Sequence, residues 1–331
     1  MKDQILIGDA LEILKTLPDG IINTCVTSPP YFGLRDYGVD GQIGLEQGPE
    51  QFIQKLVEVF REVRRVLRDD GTLWVNIGDS YATMQRSGKK ESPGVGAKQA
   101  MPPIRTKIRW GKGGGTNFWW RIPTEKYGDL KPKDLIGIPW MLAFALRADG
   151  WHLRQDTIWH KPNSMPESVK DRCTKAHEYI FLLSKSPKYY FDSEAIQEPS
   201  VSTHPSGNGF KRECRLSYKD KNGARGNDQP WQVKPTRNRR SVWSVNTKPF
   251  KEAHFATFPE KLVEPCILAG SPKGGLVLDP FFGAGTTGLV AKKLGRNYLG
   301  VEINPKYAQI ASERIDKWLI SNVLPVDHIF E

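Results

Sequence analysis

Four consecutive residues, Ser28-Pro29-Pro30-Tyr31, combine a hydroxyl, two rigid carbonyls and an aromatic ring. Proline fixes φ and lacks a backbone N–H, so the segment presents mainly hydrogen-bond acceptors. Acceptors converging on a planar amino group orient it and draw out its lone pair for attack on an electrophile. Tyr31 adds a flat face on which a base can stack. A second segment, Asp279-Pro280-Phe281-Phe282-Gly283-Ala284-Gly285-Thr286-Thr287-Gly288, follows a short apolar run. Its glycines permit a tight turn and close approach of the backbone to a ligand. Glu302 lies about 20 residues beyond Gly283, a spacing that suits a carboxylate accepting from both hydroxyls of a ribose. A nucleoside-bearing cofactor is expected. The G-x-G-x-x-G spacing also fits a dinucleotide, but Asp279 and Pro280 place a carboxylate and a stiff turn where a pyrophosphate would approach. A cationic, amino-acid-bearing cofactor suits that acid better. Either segment alone is also explained by a plain strand end or strand–helix turn; their co-occurrence is what informs.

Such residues need a scaffold that brings them together. Residues 4–8, 23–28, 72–77, 275–279 and 297–302 read as short buried strands. Between the second and third, Phe52, Leu56, Val59, Phe60, Val63, Val66 and Leu67 recur at three and four residues and predict an amphipathic helix. Asp69-Asp70-Gly71 then predicts a turn into the next strand. Further helices are expected over 134–148, 259–269, 286–294 and 306–319. Residues 151–159 and 177–184 read as β runs with no long helix between them, which predicts an antiparallel edge. Strands alternating with helices imply right-handed crossovers and a mostly parallel sheet. Ser28 closes one strand and the glycine turn follows another, where α/β sheets present their ligands.

Together the two motifs resemble the S-adenosylmethionine-dependent amino-group DNA methyltransferases, the N4-cytosine/N6-adenine family, in its β-class order: catalytic motif first, variable region, then cofactor motif. The resemblance covers nearly the whole chain outside two inserts. It implies a Rossmann-like α/β fold of the class I methyltransferases, a seven-stranded, mostly parallel sheet with one antiparallel strand. It assigns Ser28, Pro29, Pro30 and Tyr31 to catalysis. It assigns Asp9, Asp279, Pro280, Phe281, Phe282, Gly283, Gly285, Thr286, Thr287 and Glu302 to S-adenosyl-L-methionine. Glu302 would hold the ribose, Asp9 the adenine, and Asp279 would lie beside the methionine moiety. In the family the helix before the glycine loop borders the cofactor pocket, a place taken by residues 254–262. An exocyclic amine is hidden in a duplex, so the base must be flipped out. Transfer is then direct and in line, with no covalent intermediate. A cytosine-C5 enzyme would need a Pro-Cys nucleophile; Pro265-Cys266 matches but sits in an apolar helical pattern and reads as core. Serine at the first motif position leans towards cytosine N4 over adenine N6 in the family. Action on an RNA or protein-amide amine is the more remote alternative.

Charge is distributed unevenly over the 331 residues. Forty-eight Lys and Arg against 37 Asp and Glu give +11. Residues 82–133 hold twelve bases and three acids, and residues 193–248 eleven bases and five acids, so the remaining chain is net −4. An acidic body with two basic inserts points to a polyanion, and double-stranded DNA leads. The layout reads as a catalytic half (1–81), a basic insert (82–133), sheet completion (134–192), a target-recognition region (193–248) and a cofactor-binding half (249–331). Arg212, Arg215, Arg237, Arg239 and Arg240 are candidates for guanine edges or phosphates. No apolar run approaches the ~18 residues that would span a bilayer. The N-terminus lacks a signal-peptide pattern, and four scattered cysteines without a CxxC favour neither zinc nor a disulfide framework. A cytoplasmic enzyme without a metal is expected, with a cognate restriction endonuclease as a candidate partner. The sequence sets no oligomeric state.

Overall fold

The computed structural model describes residues 2–34, 36, 38–82, 129–200, 235–247 and 259–322. Its N-terminal part supplies β1 (Gln4–Ile7), α1 (Ala10–Thr16), β2 (Ile22–Thr27), α2 (Pro49–Val66) and β3 (Leu67–Ile77). The middle supplies α3 (Ile138–Ala148), β4 (His152–His160), β5 (His177–Ser184), β6 (Glu198–Pro199), β7 (Thr236–Arg237) and β8 (Val242–Ser244). The C-terminal part supplies α4 (Glu260–Gly270), β9 (Leu276–Asp279), α5 (Thr286–Lys293), β10 (Asn297–Glu302) and α6 (Pro305–Asn322). One sheet runs β1-β10-β9-β2-β3-β5-β4-β8, and a separate ribbon pairs β6 with β7. Every neighbour in the large sheet is parallel except β5, which runs antiparallel to both β3 and β4.

The two faces of the sheet bury separate cores. Phe52, Leu56, Phe60 and Val63 of α2 meet Leu14 of α1, Leu142 of α3 and Leu73 of β3 on one face. Leu262 and Val263 of α4, Leu289 of α5 and Ile315 of α6 pack with Val26, Trp74 and Val277 on the other. Three helices per face cover a sheet whose inner strands are buried on both sides, hence their near-continuous apolar composition. Although β1 comes from the first residues of the chain, it pairs with β10, so the two ends of the sequence share one sheet.

Four features differ from expectation. The sheet has eight strands rather than seven, because β8 adds to β4 at the edge; three residues are too few to show a period. The antiparallel strand lies inside the sheet, between β3 and β4, and not at its edge. Asp69-Asp70-Gly71 is not a turn: β3 begins at Leu67 and the three residues bulge within it, with Ile22 opposite Leu67 and Thr24 opposite Thr72. The bulge persists because its carbonyls find donors, Asp70 O from Tyr190 N at 2.9 Å and Gly71 O from Lys185 N at 3.2 Å. Helix α1 is additional to the expected helices, though Asp9 caps it, accepting from Glu12 N at 3.0 Å, and a carboxylate three residues before a glutamate marks a helix start.

Candidate active site

Strands β2 and β9 are adjacent and parallel, with Thr24 opposite Val277 and Cys25 opposite Leu278. From β9 the order proceeds to β10 and β1 on one side, and from β2 to β3 on the other. That reversal opens a crevice at the carboxyl ends of the strands. Both chemical motifs leave the sheet there, one from β2 and one from β9, although some 250 residues of chain separate them. Thr27 Oγ1 donates to Asp279 Oδ1 at 2.7 Å and Thr287 Oγ1 to Asp279 Oδ2 at 2.7 Å. The Phe281 N–H adds a third bond at 3.1 Å. Asp279 is 1% exposed and lies beneath the crevice, tying the two loops together. Burial pushes its carboxyl up to about 6, against the three hydrogen bonds that favour ionisation.

Above it opens a cavity of about 300 Å³. Asp9, Pro280, Phe281, Phe282, Gly283, Thr286 and Glu302 line one part, and Ser28, Pro29, Pro30 and Tyr31 another. Gly285 and Thr287 of the glycine motif do not line the cavity. Gly285 holds φ at 73° at the start of α5, and Thr287 bonds Asp279 and the Val26 carbonyl. Glu302 Oε2 accepts from Gly283 N at 2.7 Å and Oε1 from Asn304 N at 2.9 Å. Each oxygen keeps a further lone pair at the cavity wall, which fits two hydroxyls of a ribose. Burial raises the Glu302 pKa, and backbone N–H groups oppose the shift. Gly283, at φ 51°, faces open space, so it alone of the motif glycines stands where a ligand can come close. Gly288 serves packing instead: a methyl there would lie 2.5 Å from Phe282 Cζ. A nucleoside with a short charged tail fits these residues.

The Ser28–Tyr31 loop is fixed by side chains that the sequence alone did not single out. Ser28 Oγ lies 3.3 Å from Asn76 Oδ1, at the end of β3. Tyr31 OH donates to Glu178 Oε2 of β5 at 2.8 Å, and Asn76 Nδ2 reaches the same oxygen at 3.3 Å. Lys161, just past β4, pairs with Glu178 Oε1 and sits 4.2 Å from the centre of the Trp159 ring. Asn76, Trp159, Lys161 and Glu178 all line the cavity. The Tyr31 ring presses on Gly78, where a methyl would meet Tyr31 Cε2 at 2.6 Å. Asp79 follows and accepts from the Gly137 and Ile138 N–H groups at 3.0 Å, fastening this corner to α3. The one available signal was the end of β3 itself, where Asn76 interrupts an apolar run and Asp79 follows it.

Residues 22–313 match the family described as DNA methylase, the N6/N4 amino-methyltransferases. The chain belongs to that family. A Type II methyltransferase of Citrobacter freundii, M.Cfr9I, is 49% identical over 308 residues, 93% of this chain and 86% of that one. M.SmaI of Serratia marcescens is 47% identical over 312 residues, 94% and 90% of the respective chains. Among solved structures, the PvuII DNA methyltransferase (cytosine-N4-specific) superposes with a TM-score of 0.59 at 19% identity, covering 95% of this chain and 86% of its own. A putative DNA modification methylase from Thermus thermophilus, solved with S-adenosyl-L-methionine, gives 0.54 at 25% identity, covering 95% and 93%. The class I methyltransferase architecture is thereby shown, and S-adenosyl-L-methionine is the family's methyl donor.

In this amino-group DNA methyltransferase the five arginines expected at DNA divide. Arg212 and Arg215 lie outside the described residues, as do residues 254–258. Arg237 and Arg240 both bond Glu198 Oε1, at 2.9 and 2.6 Å, across the β6–β7 ribbon, and Arg239 lies 4.9 Å from the centre of the Trp243 ring. These three are held at the base of the basic segment. Cys266 is buried in α4, its thiol donating to Leu262 O at 3.4 Å, and burial pushes its pKa up. A nucleophilic thiolate is disfavoured there. Among the described residues no helix is long and apolar enough to cross a membrane.

Proposed function

We propose that the chain methylates the exocyclic N4 of a cytosine, flipped out of a specific double-stranded DNA site. The observation that carries this is the Ser28-Pro29-Pro30-Tyr31 loop on the wall of one cavity shared with Glu302 and Gly283. When bound, S-adenosyl-L-methionine supplies an electrophilic methyl group. Glu302 and Gly283 hold its ribose, Asp9 and Phe281 border the remainder of the nucleoside, and Asp279 supports the loop from below. Ser28 Oγ and the Pro29 carbonyl accept the two amino hydrogens of the base, so the nitrogen lone pair points out of the ring plane towards the electrophile. Tyr31, anchored through its hydroxyl, stacks on the base and shields it from water. The nitrogen would take the methyl group as the donor's sulfonium C–S bond breaks to leave a neutral thioether. It would release one amino proton along its hydrogen bonds to Ser28 Oγ or the Pro29 carbonyl and on to solvent; no enzyme nucleophile would take part.

Serine rather than aspartate at position 28 supports cytosine over adenine. The Type II naming of M.Cfr9I and M.SmaI supports a cytoplasmic restriction-modification setting, with a companion endonuclease reading the same sequence. Nucleoside analysis of DNA methylated by the purified protein tests the base: N4-methylcytosine is expected, and N6-methyladenine in its place overturns the assignment. Single-turnover transfer by Ser28→Ala tests the mechanism and is expected to fall by about 100-fold or more, the scale of losing a preorganised hydrogen bond at a reacting centre.

A further inference from the structure

A hydroxyl can donate or accept, and its proton turns to suit its surroundings. For Ser28 to receive an amino hydrogen, its own proton must be directed elsewhere. We propose that Asn76 and Glu178 are positioning residues that draw the Ser28 proton away from the base and leave Oγ presenting lone pairs to it. The proposal rests on Ser28 acting as an amine acceptor, as argued above.

The hydrogen bonds leave one consistent arrangement. Asn76 is only 3% exposed. One end of its amide lies 3.1 Å from the Tyr179 carbonyl and 3.3 Å from Glu178 Oε2. Both of those are acceptors, so the end facing them is the NH₂ group. The carbonyl end, Oδ1, therefore faces Ser28 Oγ at 3.3 Å and Tyr31 OH at 3.2 Å. Tyr31 has a single proton and a shorter path to the Glu178 carboxylate, at 2.8 Å. Asn76 Oδ1 is thus left to take the Ser28 proton. Glu178 does two things at once: it engages the Tyr31 hydroxyl and it fixes which way the Asn76 amide points. Lys161, paired with its other oxygen, holds the carboxylate in place. Asn76 of β3, Glu178 of β5 and Lys161 just past β4 thereby set the polarity of one hydroxyl, which accounts for a buried polar residue at the end of an apolar strand.

A double-mutant cycle against Ser28 reads this directly, because a residue that acts through the serine loses its effect once the hydroxyl is gone. Asn76→Leu keeps the volume and removes both ends of the amide. In the parent background its single-turnover methyl transfer is expected to fall about 10- to 100-fold, with dissociation constants for S-adenosyl-L-methionine and target duplex changed less than about 3-fold. In the Ser28→Ala background the same substitution should cost less than about 3-fold more. Glu178→Gln, run through the same cycle, gives a second reading should Asn76→Leu fail to fold. Equal losses in both backgrounds, or an unchanged rate in the parent, overturn the proposal. The failures are separable: a Ser28→Ala enzyme at full rate would overturn Ser28 as the amine acceptor itself, and the product nucleoside reports the target base independently of either rate.

Discussion

Asp279 is the residue at which two loops and one ionisable group coincide. An aspartate ordinarily titrates near 3.9, whereas burial raises this one to about 6. Between about pH 4 and 6 the unfolded chain has released this proton and the folded chain has kept it. Stability must therefore fall as pH rises through that window and level off above it. Asp279→Asn keeps the hydrogen bonds: its carbonyl accepts from Thr27 and Phe281, and its amide donates to Thr287, whose proton turns to the Val26 carbonyl 3.2 Å away. Urea unfolding of parent and variant from pH 4.5 to 7.5 should show the variant without this slope, gaining up to about 3 kcal/mol above pH 6. Parallel curves would show that the carboxyl is not the titrating group. Cys266 offers the opposite case, a reactive type in an inert place. Cys266→Ala should transfer methyl groups at a rate within about 3-fold of the parent, since a thiol buried in a helix is not a nucleophile; loss of transfer in a folded variant would contradict direct attack.

At the scale of elements, glycine-loop geometry depends on the ring of Phe282, which the motif names but whose packing it does not reveal. Phe282 lines the cavity, stacks on Tyr298 with ring centres 5.6 Å apart, and fills the space above Gly288 and Gly300. A methyl group at Gly300 would collide with the Phe282 ring. Gly300→Ala is expected to cost about 1–3 kcal/mol by overpacking. It should also weaken S-adenosyl-L-methionine binding, measured by calorimetry; unchanged affinity with lowered stability would mean that Phe282 can move without disturbing the site. The glycine pattern was readable because it must sit between a strand and a helix. That Gly288 and Gly300 serve a ring rather than a ligand was not, since it depends on β10 lying beside β9. Long helices such as α2, with seven apolar positions in register, declared themselves. Three-residue β8 and the bulge in β3 did not, because their shape is set by partners distant in sequence. For the same reason Ser28 and Glu302 could be named in advance, whereas Asn76, Lys161 and Glu178 became site residues only once β3, β4 and β5 were placed side by side.

Across the whole molecule, the residues flanking each basic segment are paired with one another. Tyr81 bridges to Leu135, and Ala82 N donates to Asp134 O at 2.8 Å while Ala82 O accepts from Lys133 N at 2.7 Å, so Ala82 and Lys133 are held side by side. Likewise Ser200 N donates to Pro235 O at 2.9 Å beside the β6–β7 ribbon. The residues flanking 201–234, a span with seven bases and three acids, therefore meet at one point. A short linker can close such a gap at small entropic cost. The ribbon, with Arg237 and Arg240 on Glu198, stays behind as part of the body. Replacing residues 201–234 by a short Gly-Ser linker should therefore leave folding and S-adenosyl-L-methionine affinity intact while abolishing preference for the target sequence. Each phosphate contact contributes about −0.9 to the slope of log affinity against log salt on duplex DNA. The slope should become shallower by an amount that counts the phosphates this segment touches. Titrations of the parent and the linker variant between about 50 and 300 mM KCl, with specific and unrelated duplexes, separate the outcomes. A lost sequence preference with a shallower slope places target reading and phosphate contact in one segment; an unchanged slope and preference would move both functions to residues 82–133 or to the body. Loss of cofactor affinity would instead make the segment part of the fold.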